Sequence, residues 1–243
     1  LNWTTTYTLS YNKNRITSVE NDATTASMLI RNPYKVGYPS SALWSYRFAG
    51  IDNDVNKGET LWYTSEGNKQ HSVSSSGTDA LVYSGQSEPK IIMGVDNTLR
   101  YRGLSLSILL SYYGGHKMRA LAEEETFEVP TSSIPSYFLN AWTPEKPTNT
   151  PGIGRYATHT GGLEATYGDI AVRPADFIKI RNIVFGYEIP GNYLSKLGIK
   201  HASIHLQIDN PKYLWVKNKM HIDPETLGIR TLSSYIFVLN INI

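Results

Sequence analysis

Apolar and polar side chains alternate with period two over several separate stretches of this chain. The most regular is 201–209, where Ala202, Ile204, Leu206 and Ile208 alternate with His201, Ser203, His205, Gln207 and Asp209. Successive strand side chains point to opposite faces, so this stretch predicts a β-strand with one apolar and one polar face. Residues 1–12 do the same, with Leu1, Trp3, Tyr7, Leu9 and Tyr11 against Asn2, Thr4, Thr6, Thr8 and Ser10. Strands are also predicted at 91–101 and 104–112, joined by a tight turn at Arg102-Gly103. The strand over 176–189 precedes a polar turn built on Pro190-Gly191-Asn192, and its alternation slips near Asn182, which predicts a bulge. Residues 43–50 (LWSYRFAG) and 235–243 complete seven predicted strands of an all-β, antiparallel chain.

The segments between them differ in kind. Residues 13–42 break the pattern, with sparse apolar positions over Val19 to Met28 that suggest one short helix. Residues 51–89 are rich in Gly, Ser, Asn and Asp and predict a long loop with room for one hairpin. Residues 114–171 carry Pro130, Pro135, Pro144, Pro147 and Pro151 and predict the longest irregular region, and 210–232 predicts another loop. Loops beyond about 15 residues are uncommon in a compact soluble domain.

An apolar strand face packs on a second sheet in a soluble protein or faces lipid in a membrane barrel. Three features favour lipid. The clear strands have about the 9–11 residues that a tilted membrane-spanning strand needs. Aromatics cluster at strand ends: Trp3, Tyr11, Tyr101, Tyr112, Tyr113, Tyr187 and Tyr235. Short connections at 102–103 and 190–199 alternate with long ones, as periplasmic turns alternate with extracellular loops. The segment 13–42 is the exception, since it falls on the short-turn side. Seven strands are too few for a closed barrel of about eight or more. An open edge in lipid leaves backbone groups unpaired, so the chain is expected to be part of a larger barrel.

Composition narrows this further. The 243 residues carry 23 basic and 21 acidic side chains, a net charge of +2 that gives no support to nucleic-acid binding. The lack of cysteine excludes disulfides, thiolate metal sites and cysteine nucleophiles from this sequence. No apolar run approaches the roughly 18 residues of a membrane helix. The mean hydropathy of −0.32 does not argue against a barrel, because half of every strand is polar. Leu1 is not an initiator methionine and no signal peptide precedes it, so the sequence reads as a mature form or as a piece of a longer chain.

Several segments resemble SusC/RagA-type TonB-dependent outer-membrane transporters, in the order that family shows them. They are LNWTTTYTLSYNKN at 1–14, GYPSSALWSYRFAGID at 37–52 and YSGQSEPKIIMGVDNTLRYRGLSLSILLSYYGG at 83–115. LNAWTPE at 139–145, ADFIKIRNIVFGYEIP at 175–190, LSKLGI at 194–199 and DPE at 223–225 follow. The resemblance implies that 1–243 is the C-terminal portion of a large plugged β-barrel of about 22 strands. The plug domain and N-terminal strands would then lie outside this chain. It further implies the outer membrane of a Gram-negative bacterium, surrounding lipid, a SusD-like surface lipoprotein as lid, and TonB acting through the missing N-terminal part. The implied activity is import of oligosaccharide or peptide, with no cofactor and no catalysis. The alternative is a soluble all-β carbohydrate-binding module of the cell surface.

Candidate chemistry is sparse. His201 and His205 share a strand face but stand about 13 Å apart at a rise near 3.3 Å per residue, too far to share a metal. Asp52-Asn53-Asp54-Val55-Asn56-Lys57-Gly58-Glu59 has the oxygen donors of a calcium loop, but its glycine comes one residue late and Tyr63 stands where a bidentate Glu belongs. A solvated turn is the simpler reading of it. Glu123-Glu124-Glu125 reads as a solvated charge run. Gly152-Ile153-Gly154 lacks a third glycine, and no G-x-S-x-G elbow is present. No carboxylate pair marks a glycosidase. Tyr137, Trp142 and Tyr156 lie in the long loop, and either stack on a substrate sugar or form the loop's own core.

Overall fold

The computed structural model describes residues 1–119, 139–151, 163–219, 222–227 and 230–243. In chain order its strands are β1 (Asn2–Tyr11), β2 (Ala42–Tyr46), β3 (Phe48–Ile51), β4 (Thr60–Tyr63), β5 (Lys69–Gln70), β6 (Leu81–Gln86), β7 (Ile91–Tyr101), β8 (Leu104–Gly114), β9 (Lys117–Arg119), β10 (Val172–Pro174), β11 (Phe177–Glu188), β12 (His201–Val216) and β13 (Ser234–Asn242). The short helices are α1 (Ala26–Arg31), α2 (Leu163–Tyr167) and α3 (Gly191–Leu194). Two compact units result: residues 1–12, 89–116 and 174–243, and residues 13–88 with 117–173. Among the described residues no helix is long and apolar enough to cross a membrane, which says nothing of crossing by strands.

The first unit is a six-stranded sheet in the order β1-β7-β8-β11-β12-β13, antiparallel throughout. The predicted alternation becomes two faces. Trp3, Leu99, Leu106, Phe185, Leu206 and Phe237 stand side by side as one apolar row across all six strands. Five of these side chains are exposed, from 40% at Leu99 to 72% at Trp3. The neighbouring row on the other face reads Thr4, Thr98, Ser107, Val184, Gln207 and Ile236, mostly polar. Among the described residues β1 pairs only with β7 and β13 only with β12, so both edges of the sheet are open.

Local chemistry sets the joints. Arg102 (φ 48°) and Gly103 (φ 82°) form the two-residue turn between β7 and β8, and left-handed φ at both positions is what a type I′ hairpin turn demands. A Cβ on Gly103 would lie 2.9 Å from the Glu188 carbonyl oxygen, so the position has no room for a side chain. Both ladders of β11 shift register between Ile180 and Asn182, which is the predicted bulge with Arg181 as the extra residue. The turn at 190–199 is a short helical one, α3 followed by a 3-10 turn over Ser195–Leu197 and closed by Gly198 at φ 72°.

One predicted strand is corrected. Residues 43–50 do not join the sheet; they divide into β2, paired with β6, and β3, paired with β4, in the second unit. Their alternation is real, but Trp44 and Tyr46 are turned into a core. Removing that strand restores the alternation of connections. The sheet strands are now joined by 12–90, 102–103, 115–176, 189–200 and 217–233, long and short by turns. The 13–42 exception disappears, because it belongs to one long connection. Tyr11 opposite Ile91 and Tyr113 opposite Phe177 put the first two long connections at the same end of the sheet.

The second unit therefore has a core where loops were expected. Ala26, Leu29, Ile30, Trp44, Tyr46, Trp62, Val73 and Leu81 are buried together. Tyr38, Trp44 and Tyr83 pack with ring centroids 4.6–5.8 Å apart, in the tilted and edge-on contacts that aromatic quadrupoles favour. The predicted helix begins only at Ala26, where the Thr25 hydroxyl accepts from the Met28 amide at 3.3 Å as N-cap. The predicted hairpin is β4–β5.

Candidate functional site

The polar face of the six-stranded sheet is built from short donors and acceptors that satisfy one another. The Thr98 hydroxyl donates to Ser107 (3.2 Å), which donates to Asp96 (3.0 Å). The Gln207 amide donates to Asp209 (2.9 Å), and His205 pairs with Ser203 (3.2 Å). His201 and His205 lie on this face without a shared ligand, and among the described residues no cluster of three His, Asp or Glu could hold a metal ion.

Charge concentrates where β11 bends at its bulge. Below the bulge Phe177 and Lys179 share the polar face with Tyr113 and Ser111. The extra residue, Arg181, turns to that face as well and its Nε donates to Ser111 Oγ at 2.7 Å. Glu225, from the connection before β13, lies between the two cations. Its Oε2 is 2.5 Å from Lys179 Nζ and its Oε1 2.7 Å from Arg181 Nη2. The Tyr213 hydroxyl of β12 donates to Asp223 (2.7 Å) and lies 3.1 Å from Glu225 Oε2. Burial pushes the Glu225 carboxyl up, but the Arg181 and Lys179 cations outweigh it and hold it below the usual glutamate range. Rings line the same place: Tyr113 stacks on Phe177 at 5.0 Å, and Tyr213 meets Phe177 edge-on at 5.3 Å. Nearby in sequence, Asp176 accepts from the Gly115 amide (2.6 Å) and pairs with Lys217 (3.2 Å).

The DPE triplet was visible in the sequence, but its role was not. The signal was the pair Lys179 and Arg181 within an apolar strand, beside the slip in alternation. The other sequence candidates fall elsewhere. Trp142 is buried in the second unit and its indole N–H donates to Asn53 Oδ1 at 2.7 Å. Tyr137, Tyr156, Glu123-Glu124-Glu125 and Gly152-Ile153-Gly154 lie outside the described residues. The Asp52 carboxylate accepts from the amides of Asp54 (2.8 Å), Val55 (3.2 Å) and Asn56 (3.1 Å) and faces His71 at 3.3 Å. It closes its own turn, and the Asp54 and Asn56 amides foremost hold its carboxyl low.

No family model matches the chain. It is similar to TonB-dependent receptor P3 of Formosa agariphila, 22% identical over 92% of this chain and 23% of that protein. It is also similar to TonB-dependent receptor P26 of the same organism, 27% identical over 61% of this chain and 14% of that protein. Among solved structures, the RagAB peptide importer in its closed-closed state superposes with a TM-score of 0.68 at 21% identity over 98% of this chain. The open-open state gives 0.67 at 20% identity over 99%. These likenesses establish the fold, and the chain spans 27% of either solved chain. The resemblance to SusC/RagA-type TonB-dependent transporters, seen first in the sequence, holds along nearly the whole chain.

Proposed function

We propose that this chain, a SusC/RagA-type TonB-dependent transporter portion, forms the C-terminal wall of an outer-membrane nutrient importer. The observation that carries the reading is the apolar row from Trp3 to Phe237, exposed on one face of a sheet whose other face is polar and whose two edges are open. Large contiguous apolar surfaces call for a partner, and a single row across antiparallel strands suits lipid. The open edges would pair with strands outside this chain, since unpaired backbone in a bilayer is costly. The polar face would line the lumen. Its hydroxyl, amide and carboxylate groups, paired with one another, offer a passing solute exchangeable hydrogen bonds.

In this reading the long connections lie outside the cell, where the second unit would meet substrate and a SusD-like lipoprotein lid. The energy reaches the barrel through TonB and the N-terminal part of the protein. The substrate is an oligosaccharide or a peptide. Tyr137 and Tyr156 are proposed to meet it, while Trp142, buried against Asn53, would steady the loop that carries them. The test is the mass and behaviour of the native polypeptide in outer-membrane fractions, joined to growth of a deletion strain on defined oligopeptides or oligosaccharides. A detergent-extracted species several times heavier than 27.2 kDa, with growth lost on one class, supports the reading. A 27.2 kDa species soluble without detergent sinks it in favour of the surface carbohydrate-binding module.

A further inference from the structure

The segment between β12 and β13 is fastened to the sheet by a small set of groups. Asp223 Oδ1 accepts from the amides of Glu225 (2.8 Å) and Thr226 (3.2 Å), which winds the backbone into a tight turn. The Leu227 amide closes the turn on the Asp223 carbonyl (2.9 Å). The same Asp223 oxygen takes the Tyr213 hydroxyl, which ties the turn to β12. Glu225 then reaches across to Lys179 and Arg181 on β11, and Arg181 continues to Ser111 on β8. Lys179 Nζ lies 4.8 Å from the Tyr213 ring centroid and is itself almost fully buried. One turn thus engages three strands.

A second observation opposes this docking. Asp223 is 1% exposed, yet among the described residues its Oδ2 has no hydrogen-bond partner. A buried carboxylate oxygen without a donor is penalised for its lost water. Undocking rehydrates it. Removing Glu225 from its cations would leave that penalty without its compensation, so the docked state depends on one carboxylate more than the number of contacts suggests.

We infer that Asp223-Pro224-Glu225 is a latch, in which the Glu225 fork on Lys179 and Arg181 holds the turn against the polar face of the sheet and its loss releases the turn while the sheet stays intact. The inference rests on the proposed barrel only for calling that face the lumen; there a released turn would alter the space open to substrate. Tyr213, freed of both carboxylates, and the cation pair would become accessible together.

The test uses the full-length protein in outer-membrane vesicles and follows trypsin cleavage at Lys219 and Arg230, which flank the latch. Cleavage of a transiently opened segment tracks the population of the open form. Glu225→Gln is expected to speed cleavage about tenfold or more, because breaking one side of a partly buried ion pair strands the other charges. Lys179→Met should act in the same direction and less, since Arg181 still holds the carboxylate. Glu225→Asp, one methylene shorter, should recover part of the protection, which an effect of mere misfolding would not. Unchanged cleavage in both Glu225→Gln and Lys179→Met overturns the latch. Should neither variant assemble, Glu225→Asp decides alone: its cleavage at the two sites must be faster than in the unmodified protein, and an equal rate overturns the latch. The readout is cleavage and not uptake, so a failed latch and a failed import reading are told apart.

Discussion

The two units use the same residue types in opposite ways. In the sheet, Trp3, Tyr7, Leu9 and Phe237 are each exposed by more than half. In the second unit, Trp44, Tyr46 and Trp62 are exposed by no more than 4%. Both regions alternate apolar with polar positions, and both contain strands. The difference is where the apolar side goes. In the second unit it meets α1, β6 and other aromatics and makes a core of the kind soluble domains have. In the sheet most of it stays exposed, as the row from Trp3 to Phe237 does, and the reading as a lipid-facing wall follows from that contrast. Strand periodicity says that two faces differ; it does not say what medium covers the apolar one.

The contrast can be broken first at its largest expected effect. Trp62→Ala should destabilise the second unit by about 3–5 kcal/mol, the usual range for deleting a fully buried aromatic. Trp3→Ala should leave it unaffected. Hydrogen exchange at the Val73 and Trp44 amides checks both, and equal losses would erase the distinction between the units. Next, Leu106→Arg should disturb the apolar face by about 2–4 kcal/mol at mid-membrane, read as loss of heat-resistant assembled protein. Ser105→Arg on the polar face should be tolerated. Ser203 is the poorer control, because it is buried, accepts from Asn240 and pairs with His205. Disruption by Ser105→Arg as great as by Leu106→Arg would count against a wet polar face.

A smaller effect sharpens the comparison through pH. Glu164 of α2 is buried, and its Oε1 accepts from Ser72 Oγ (2.8 Å) and the Val73 (2.8 Å) and Ser74 (2.7 Å) amides. Burial pushes this carboxyl up, but those donors together hold it below the usual glutamate range. A depressed folded value means stability that is fully present above the unfolded value and lost as pH falls through the folded one. Protection of the Val73 and Ser74 amides should therefore weaken only in acid, below about pH 4.3, the ordinary glutamate value. Glu164→Gln should remove about 2 kcal/mol at neutral pH and abolish that acid step. An acid step that persists in the variant would assign it to another group. The least effect is expected at Thr25→Ala, about 1 kcal/mol from the lost cap of α1, seen as faster exchange at Met28 with no change in the sheet.

Much of the sheet was legible because its signals are local. The type I′ turn at Arg102-Gly103 needs two adjacent left-handed residues, and the bulge at Arg181 shows as one slipped position in the alternation. The resemblance pieces added order along the chain. The assignment of 43–50 to the wall failed for an equally physical reason: Trp44 and Tyr46 alternate as a wall strand would, and only their packing on Leu29, Trp62 and Leu81 shows otherwise. Of the site candidates, Trp142 was readable as a loop aromatic but not as a buried donor to Asn53, since 89 residues separate the two.

By itself, then, the sequence determined where the six sheet strands run apart from the 210–216 end of β12, which face of each is apolar, where they turn and bulge, and that they pair as an antiparallel set. These follow from backbone sterics and the period of two, which act over a few residues. The tertiary structure alone decided that the first two long connections share a core, that β2 and β3 leave the sheet, and that Glu225 meets Arg181 and, across 46 residues of chain, Lys179. Such pairings depend on which distant segments occupy the same space. Burial and charge compensation settle that collectively, and no local pattern carries it.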